Sequence, residues 1–441
     1  MLIVEQFING LTVGGIYALI ALGYTMVYGI VKLINFAHGD IFMIGAFVGY
    51  FAVTLVVDIF IGSFLVSALG IEQSSVSSLQ SFLTEYRLYI AIIASIIFCG
   101  LLGLFVERVA YRPLRESSPK TIIGSAVGLA LIIIIAVFGK GSIPFGTALL
   151  FLVILISLSA ATIAYLKYMF NNFRGFKKEN INQKHIIYTI TYLIAFIVLA
   201  YLAWYYDINT MMFLSFITVL LVYWLVVSRM KSSNTGGNSR INALISAIGM
   251  SMILTNMVTL LRGNSAVSYN MGFSSGMLSI GSFHISYLRI FIIVFSFVLM
   301  GILFYIIHKT KFGLAMRAVS HNLNASRLMG INPDKVIATT FMIGSALAGI
   351  AGVLVGTNYG QLDPNIGVMY GLKAFVAAVL GGIGSIPGAV VGGIVLGILE
   401  TFGTATPVLS SYKDAIAFGI LILILIIKPT GLFGKSIKEK V

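Results

Sequence analysis

The stretch "GLTVGGIYALIALGYTMVYGIVKLINFAHGDIFMIGAFVGY", residues 10–50, decides the fold class of this chain. It holds one apolar run over residues 11–30 and a second run that begins at Ile41. An α-helix of about 20 apolar residues is long enough to cross the hydrocarbon core of a bilayer, which is about 30 Å thick. The stretch therefore predicts two membrane-spanning helices joined by a short polar corner.

The composition extends this prediction to the whole chain. Of its 441 residues, 59% are hydrophobic and 10% are charged, whereas a soluble domain carries about 25% charged residues. Long apolar runs recur from end to end, in place of the short alternating strands of a transmembrane β-barrel. We therefore predict an all-α, polytopic transmembrane helical bundle of about 12–13 membrane segments. One segment, residues 368–380, is short enough to be re-entrant.

The chain has a net charge of +14, and the positions of its basic residues indicate how it is oriented in the membrane. Lys and Arg cluster in short loops between the apolar runs, which is the positive-inside pattern of cytoplasmic loops. This pattern predicts an external N-terminus, a cytoplasmic C-terminus and a multi-pass protein of a bacterial or archaeal cytoplasmic (inner) membrane. Membrane lipid is then an expected partner, and nucleic acid is not.

The sequence contains few motifs for catalysis or for binding metals and cofactors. The single cysteine, Cys99, excludes an internal disulfide and a metal site made of cysteine pairs. The segment "GLFGKS", residues 431–436, resembles a phosphate-binding loop, but Pro429 stands where the first glycine is needed. We therefore predict no catalytic residue, no metal site and no cofactor.

The polar corner "NFAHGD" is expected to shape the connection between the first two helices. Asp40 is placed to cap a helix that begins at Ile41 and to meet the positive end of its dipole. Gly39 would permit the turn, while Asn35 and His38 would satisfy backbone groups where the first helix ends. Direct contact with a bound solute is the alternative role.

Charged residues and glycines inside the later apolar runs give a second set of candidates. A charge within a membrane is costly, so Lys373 and Glu400 either reach an interface or serve a function. The glycine-rich segment 381–388 indicates a helix break or tight turn, and unwound backbone is tolerated in a membrane only beside protein or water. Glycines at four-residue spacing, such as Gly393 and Gly397, predict close helix packing. The candidates for a translocation path or a helix break are Asn35, His38, Asp40, Lys373, Gly381, Gly382 and Gly384.

The longest basic loop contains "NLNASRLMGINPDK". Its first part predicts a short amphipathic helix that ends at Gly330. The following "NPDK" predicts the start of another helix, with Asn332 as its cap and Pro333 at the first helical position. From composition alone, however, an ordinary structured loop is the simpler interpretation.

Several long segments, together with residues 10–50, carry a family resemblance. They are "ERVAYRPLR", "INALISAIGMSMILTN", "KTKFGLAMRAVSHNLNASRLMGINPDKVIATTFMIGSALAGIAGVLVG", "GLKAFVAAVLGGIGSIPGAVVGGIVLGILE" and "KPTGLFG". In these segments the chain resembles the permease subunits of branched-chain amino-acid ABC importers. The resemblance covers nearly all of residues 1–118 and 240–434.

The resemblance implies an assembly with a second permease subunit, two cytoplasmic ATP-binding subunits and an extracytoplasmic solute-binding protein. ATP hydrolysis would then belong to the partners, and the basic loop would contain the helix that receives their movement. The positions that match this coupling helix are Asn324, Ala325, Leu328, Gly330 and Ile331.

The resemblance also divides the chain into three parts. Residues 1–118 and 240–441 correspond to the permease core, whereas residues 119–239 form an inserted block with about four predicted transmembrane helices. Typical family members lack this block, and an even number of crossings leaves the orientation of the following core unchanged.

Three other functions remain open at this stage. A permease for urea or short amides would have a very similar sequence and differ only in the transported solute. An ion-coupled carrier or channel is less favoured, because buried titratable residues are sparse. A membrane scaffold formed through the inserted block is the third possibility.

Overall fold

The structure is a computed structural model that describes residues 2–54, 83–112, 238–271, 276–280, 283–405, 410 and 412–434. The chain forms two compact units, one made of Met1–Glu107 and Asn264–Val441 and the other of Arg108–Gly263. Almost all of the predicted inserted block lies outside the described residues, so its helices stay a prediction.

Helices dominate the described part of the chain, which confirms the predicted all-α membrane fold. In the first unit they are α1 (Leu2–Val31), α2 (His38–Val53), α3 (Arg87–Val106), α5 (Tyr287–Lys309), α6 (Lys311–His321), α7 (Leu323–Leu328), α8 (Pro333–Tyr359), α9 (Ile366–Gly381), α10 (Ile386–Gly403) and α11 (Lys413–Ile427). The second unit contains α4 (Asn238–Arg262). A π-helical turn, Glu107–Tyr111, follows α3.

Two small antiparallel sheets lie in the connections between helices. Strand β1 (Val267–Ser268) pairs with β4 (Gln361–Leu362). Strands β2 (Met277–Ile280) and β3 (Phe283–Ser286) form a hairpin just before α5. These strands could not be predicted from the sequence, because they are too short to show a period-two pattern.

Five helices in the described residues are long and apolar enough to cross a membrane. They are Ile3–Val31, Arg87–Tyr111, Tyr287–Lys309, Pro333–Tyr359 and Ile386–Gly403. The first is mostly buried by the other helices, whereas α3 and α5 expose apolar side chains such as Ile97, Leu101 and Val298. Because such faces match hydrocarbon, we assign α3 and α5 to the lipid-facing side of the bundle.

Glycines bring α1 and α10 into close contact. A Cβ atom added to Gly393 would lie 2.5 Å from the Cα atom of Ala18, and one added to Gly397 would collide with the backbone nitrogen of Gly14. Neither helix has room for a side chain at these points, so the backbones themselves pack together. This confirms the packing predicted from the four-residue glycine spacing.

Candidate functional site

The polar corner forms the start of α2, but Asp40 does not cap that helix. Helix α2 begins at His38, and its N-cap residue is Ala37, whose side chain provides no capping hydrogen bond. The prediction of a helix from Ile41 capped by Asp40 was therefore wrong. Ala37 already has right-handed helical backbone angles, with φ −68° and ψ −5°, so the helical turn starts earlier. Asp40 lies in the first turn, where a negative charge still favours the helix dipole.

His38 contacts the middle of α1 and not its end. Its Nε2 atom lies 3.2 Å from the carbonyl oxygen of Ile20, so the tautomer protonated at Nε2 donates to that carbonyl. Its ring also packs edge-on against Tyr24, with 4.6 Å between the ring centres. The predicted partner of His38, a backbone group of the first helix, is confirmed. Its predicted position at the end of that helix was wrong. Asn35 is buried in the same corner.

Gly39 is needed for close packing and not for a turn. A Cβ atom at this position would collide with the carbonyl oxygen of Gly367 and lie 2.8 Å from the Cα atom of Gly371, both on α9. Lys373 follows Gly371 by two residues, which places it about 200° further round the helix. The polar corner and Lys373 therefore meet different faces of α9 and do not form one pocket.

Lys373 and Glu400 form a buried ion pair instead of reaching an interface. The Nζ atom of Lys373 lies 2.9 Å from Oε1 of Glu400 and 2.7 Å from Oδ1 of Asp414. Lys413 adds a second contact to Glu400, with its Nζ atom 3.3 Å from the same Oε1 atom. Lys373 and Glu400 are 4% and 1% exposed. These four residues of α9, α10 and α11 are called the charge cluster below.

A cavity of about 220 Å³ adjoins the charge cluster. Its polar lining comes from α1, α5, α8, α10 and α11 and includes Asn9, Thr12, Arg289, Asn358, Glu400 and Lys413. Apart from Glu400, none of these residues was singled out from the sequence. Arg289 lies near the first residue of α5 and Asn358 near the last residue of α8. Because α5 leads into α6 and α8 follows α7, the cavity and the α6–α7 segment occupy opposite ends of the bundle.

The glycine-rich segment forms the predicted helix break. Helix α9 ends at Gly381, and Gly382 and Gly384 adopt φ angles of +101° and +93° before α10 begins. The terminal segment covers this break, since the backbone N–H groups of Leu432 and Phe433 donate to the carbonyls at the end of α9. Assignment of these glycines to a translocation path stays a prediction.

Helix α7 ends in a Schellman motif, as the sequence predicted at Gly330. The Ile331 N–H donates to the Ser326 carbonyl at 3.0 Å, and the Gly330 N–H donates to the Arg327 carbonyl at 3.1 Å. Gly330 has a φ of +80°, which side-chain-bearing residues seldom adopt. The exit from α7 is therefore fixed by its own backbone hydrogen bonds.

The next helix begins as predicted. The Asn332 side chain accepts hydrogen bonds from the backbone N–H groups of Asp334 and Lys335, and Pro333 occupies the first helical position. Leu328 and Met329, between the two helices, are 90% and 83% exposed. Asn324 and Ala325 are exposed as well. The predicted coupling positions thus lie on one short segment that is exposed to solvent.

The whole chain is similar to known permeases. The family model described as branched-chain amino acid transport system, permease component, matches residues 6–238 and 210–425. The high-affinity branched-chain amino acid transport system permease protein BraD of Pseudomonas aeruginosa is 34% identical, with 99% of this chain and 97% of that protein covered. The corresponding protein LivH of Escherichia coli K12 is 32% identical over the same shares.

Similarity also reaches a permease with a different name. The ribose import permease protein RbsC of Escherichia coli K12 is 30% identical across 43% of this chain and 60% of that protein. No solved structure matches the chain. The family model and the two relatives each match the chain almost from end to end. The chain belongs to the family of branched-chain amino acid transport system permease components.

Proposed function

We propose that this chain is a transmembrane permease subunit of an ATP-driven importer whose transported solutes are the branched-chain amino acids leucine, isoleucine and valine. The observation that carries the proposal is the similarity to BraD and LivH over nearly the whole length of all three chains. The lipid-facing apolar helices support a multi-pass membrane protein. The partial similarity to the ribose permease means that family membership alone does not fix the solute.

The partners in this proposal are a second permease subunit, two cytoplasmic ATP-binding subunits and an extracytoplasmic solute-binding protein. Hydrolysis of ATP takes place in the ATP-binding subunits. The open segment around α7 supports this arrangement, because Leu328 and Met329 present apolar side chains that a partner would bury. Movement of the ATP-binding subunits would push this segment and switch the bundle between two states.

The proposed orientation places the α6–α7 segment and the C-terminus in the cytoplasm. A cysteine replacing Leu314, which is 61% exposed on α6, is expected to resist a membrane-impermeant maleimide added to intact cells. A cysteine replacing Tyr412, 59% exposed before α11, is expected to react. The native Cys99 is buried and gives little background. If the reagent labelled the cysteine at position 314 from outside and not the one at position 412, the proposed orientation would have to be reversed.

The transported solute is tested by uptake in cells with and without this gene. Loss of labelled leucine uptake on deletion, with recovery when the gene is restored, is the expected result. Labelled urea is measured in parallel, since a urea or short-amide permease is the alternative that keeps the same architecture. Loss of urea uptake alone would retain the importer and replace the solute, and unchanged uptake of both would contradict the proposal.

Residues 119–239 are part of the proposal as an accessory block outside the translocation path. The support is the resemblance of the flanking segments to a permease core and the even number of predicted crossings between them. The same uptake assay applies to this block. Leucine uptake by a variant without residues 121–236 would agree with an accessory role, and a stable but inactive variant would oppose it.

A further inference from the structure

The cavity beside the charge cluster has the features of a binding site for a small zwitterion. Its volume of about 220 Å³ lies below the range of roughly 300–1,000 Å³ that drug-sized ligands occupy. Positive and negative groups both reach its lining, namely Arg289, Lys413 and Glu400. Val13 and Tyr359 also line the cavity and bring apolar groups to it. A ligand with both charges and a small apolar side chain matches this lining.

The charges around the cavity leave one cation without a counter-ion. Lys373 and Lys413 are paired with the carboxylates of Glu400 and Asp414. Arg289 has no ion-pair partner within the described residues. A carboxylate is the natural ligand for its guanidinium group, which presents paired N–H donors in a plane.

A buried acceptor beside the cavity also lacks a partner. Glu400 uses Oε1 for both lysines, while its Oε2 atom is buried and accepts no hydrogen bond from the described residues. The buried hydroxyl of Tyr17 lies close to the same carboxylate. A buried polar atom without a hydrogen bond is costly, and an ammonium group in the cavity would supply the missing donor.

We propose that this cavity binds the transported amino acid, with its α-carboxylate at Arg289 and its α-ammonium group at Oε2 of Glu400. The identity of the ligand rests on the proposed function, which supplies an α-amino acid. The position suits a loading site, because the cavity lies at the end of the bundle opposite the segment that would contact the ATP-binding subunits. The two polar contacts recognise the backbone of the amino acid and leave its side chain to Val13 and Tyr359.

The test measures equilibrium binding of labelled leucine to the purified complex of permease and ATP-binding subunits, without nucleotide or solute-binding protein. The unsubstituted complex is expected to bind leucine saturably. Arg289→Gln is expected to weaken binding at least tenfold, because it removes a charge-assisted contact. Arg289→Lys is expected to recover part of the affinity. Isopentylamine, which keeps the ammonium group and lacks the carboxylate, is expected to compete at least tenfold less well than leucine.

A matched variant controls for loss of a charge from the same helix. Lys309→Gln removes an exposed cation at the other end of α5 and is expected to leave leucine binding unchanged. Failure of the complex to bind leucine, or equal affinity in Arg289→Gln, would overturn the inference. Leucine uptake by the unsubstituted complex in vesicles with its solute-binding protein is recorded alongside. Uptake without binding refutes this site alone, whereas absent uptake refutes the proposed function.

Discussion

Replacement of Gly330 by Pro is expected to abolish leucine uptake while the protein remains in the membrane. Gly330 has a φ of +80°, whereas proline fixes φ near −65°, and the substitution also removes the N–H that donates to the Arg327 carbonyl. The chain must then leave α7 in another direction, which displaces Leu328 and Met329. The measurement is uptake together with the ATPase activity of the purified complex, and continued ATPase activity without uptake is the expected signature.

The matched control for this variant is Gly263→Pro. Gly263 ends helix α4 with a φ of +88°, and it too donates its backbone N–H to a carbonyl of the preceding helix. An added Cβ would meet no atom within 4 Å at either glycine, so the local backbone cost is comparable. Gly263→Pro is expected to retain ATP-coupled uptake. Normal uptake by Gly330→Pro, or the same loss in both variants, would remove the α7 segment from the coupling mechanism.

Ala325→Glu separates surface chemistry from backbone geometry at the same segment. Ala325 is exposed, and glutamate is a good helix former, so α7 should keep its shape. A new charge on a surface that a partner covers must lose its hydration, which weakens the contact. The same uncoupling by Ala325→Glu and Gly330→Pro would therefore locate the effect at the surface of α7.

The α7–α8 connection was predictable because its determinants are local. Asn332, Pro333 and Gly330 each act on backbone groups within a few residues. The local sequence is therefore sufficient to predict where α7 ends and α8 begins. Helix α6 was missed because its charges resemble those of a solvated loop. Its cap was visible in retrospect, since the Thr310 side chain accepts a hydrogen bond from the Gly313 N–H only three residues later. Local signals of this kind are open to sequence analysis even within a basic loop.

The charge cluster and its cavity were less predictable because they join distant parts of the chain. Lys373 and Glu400 were flagged as costly charges, but their pairing depends on how α9 packs against α10. The contribution of Arg289 depends on where α5 begins relative to α1 and α8, which apolar runs do not specify. Asp40 shows the opposite limit. Aspartate is a residue type that favours the N-cap position, yet α2 begins two residues before it, at His38.

Replacement of Lys373 by Met is expected to lower the free energy of unfolding by about 3 kcal/mol. Removal of one partner leaves the Glu400 carboxylate, 1% exposed, with a single ion pair among the described residues, the 3.3 Å contact to Lys413. Asp414 loses its 2.7 Å contact as well, although it is about half exposed and water can replace the lysine. The measurement is denaturant-induced unfolding of the purified chain in micelles. Lys309→Met, an exposed position, is expected to stay within about 0.5 kcal/mol.

The double variant Lys373→Met/Glu400→Met shows whether the pair stabilises the fold or serves transport. Replacement of a whole buried ion pair by apolar side chains is often close to neutral, so the double variant is expected to be less destabilised than the sum of the two single variants. It also removes the Oε2 acceptor proposed for the amino acid. If the double variant is as stable as the unsubstituted chain but no longer binds leucine, the buried charges are present for transport and not for stability. Additive destabilisation would contradict direct coupling between Lys373 and Glu400, and retained binding would contradict the role of Glu400.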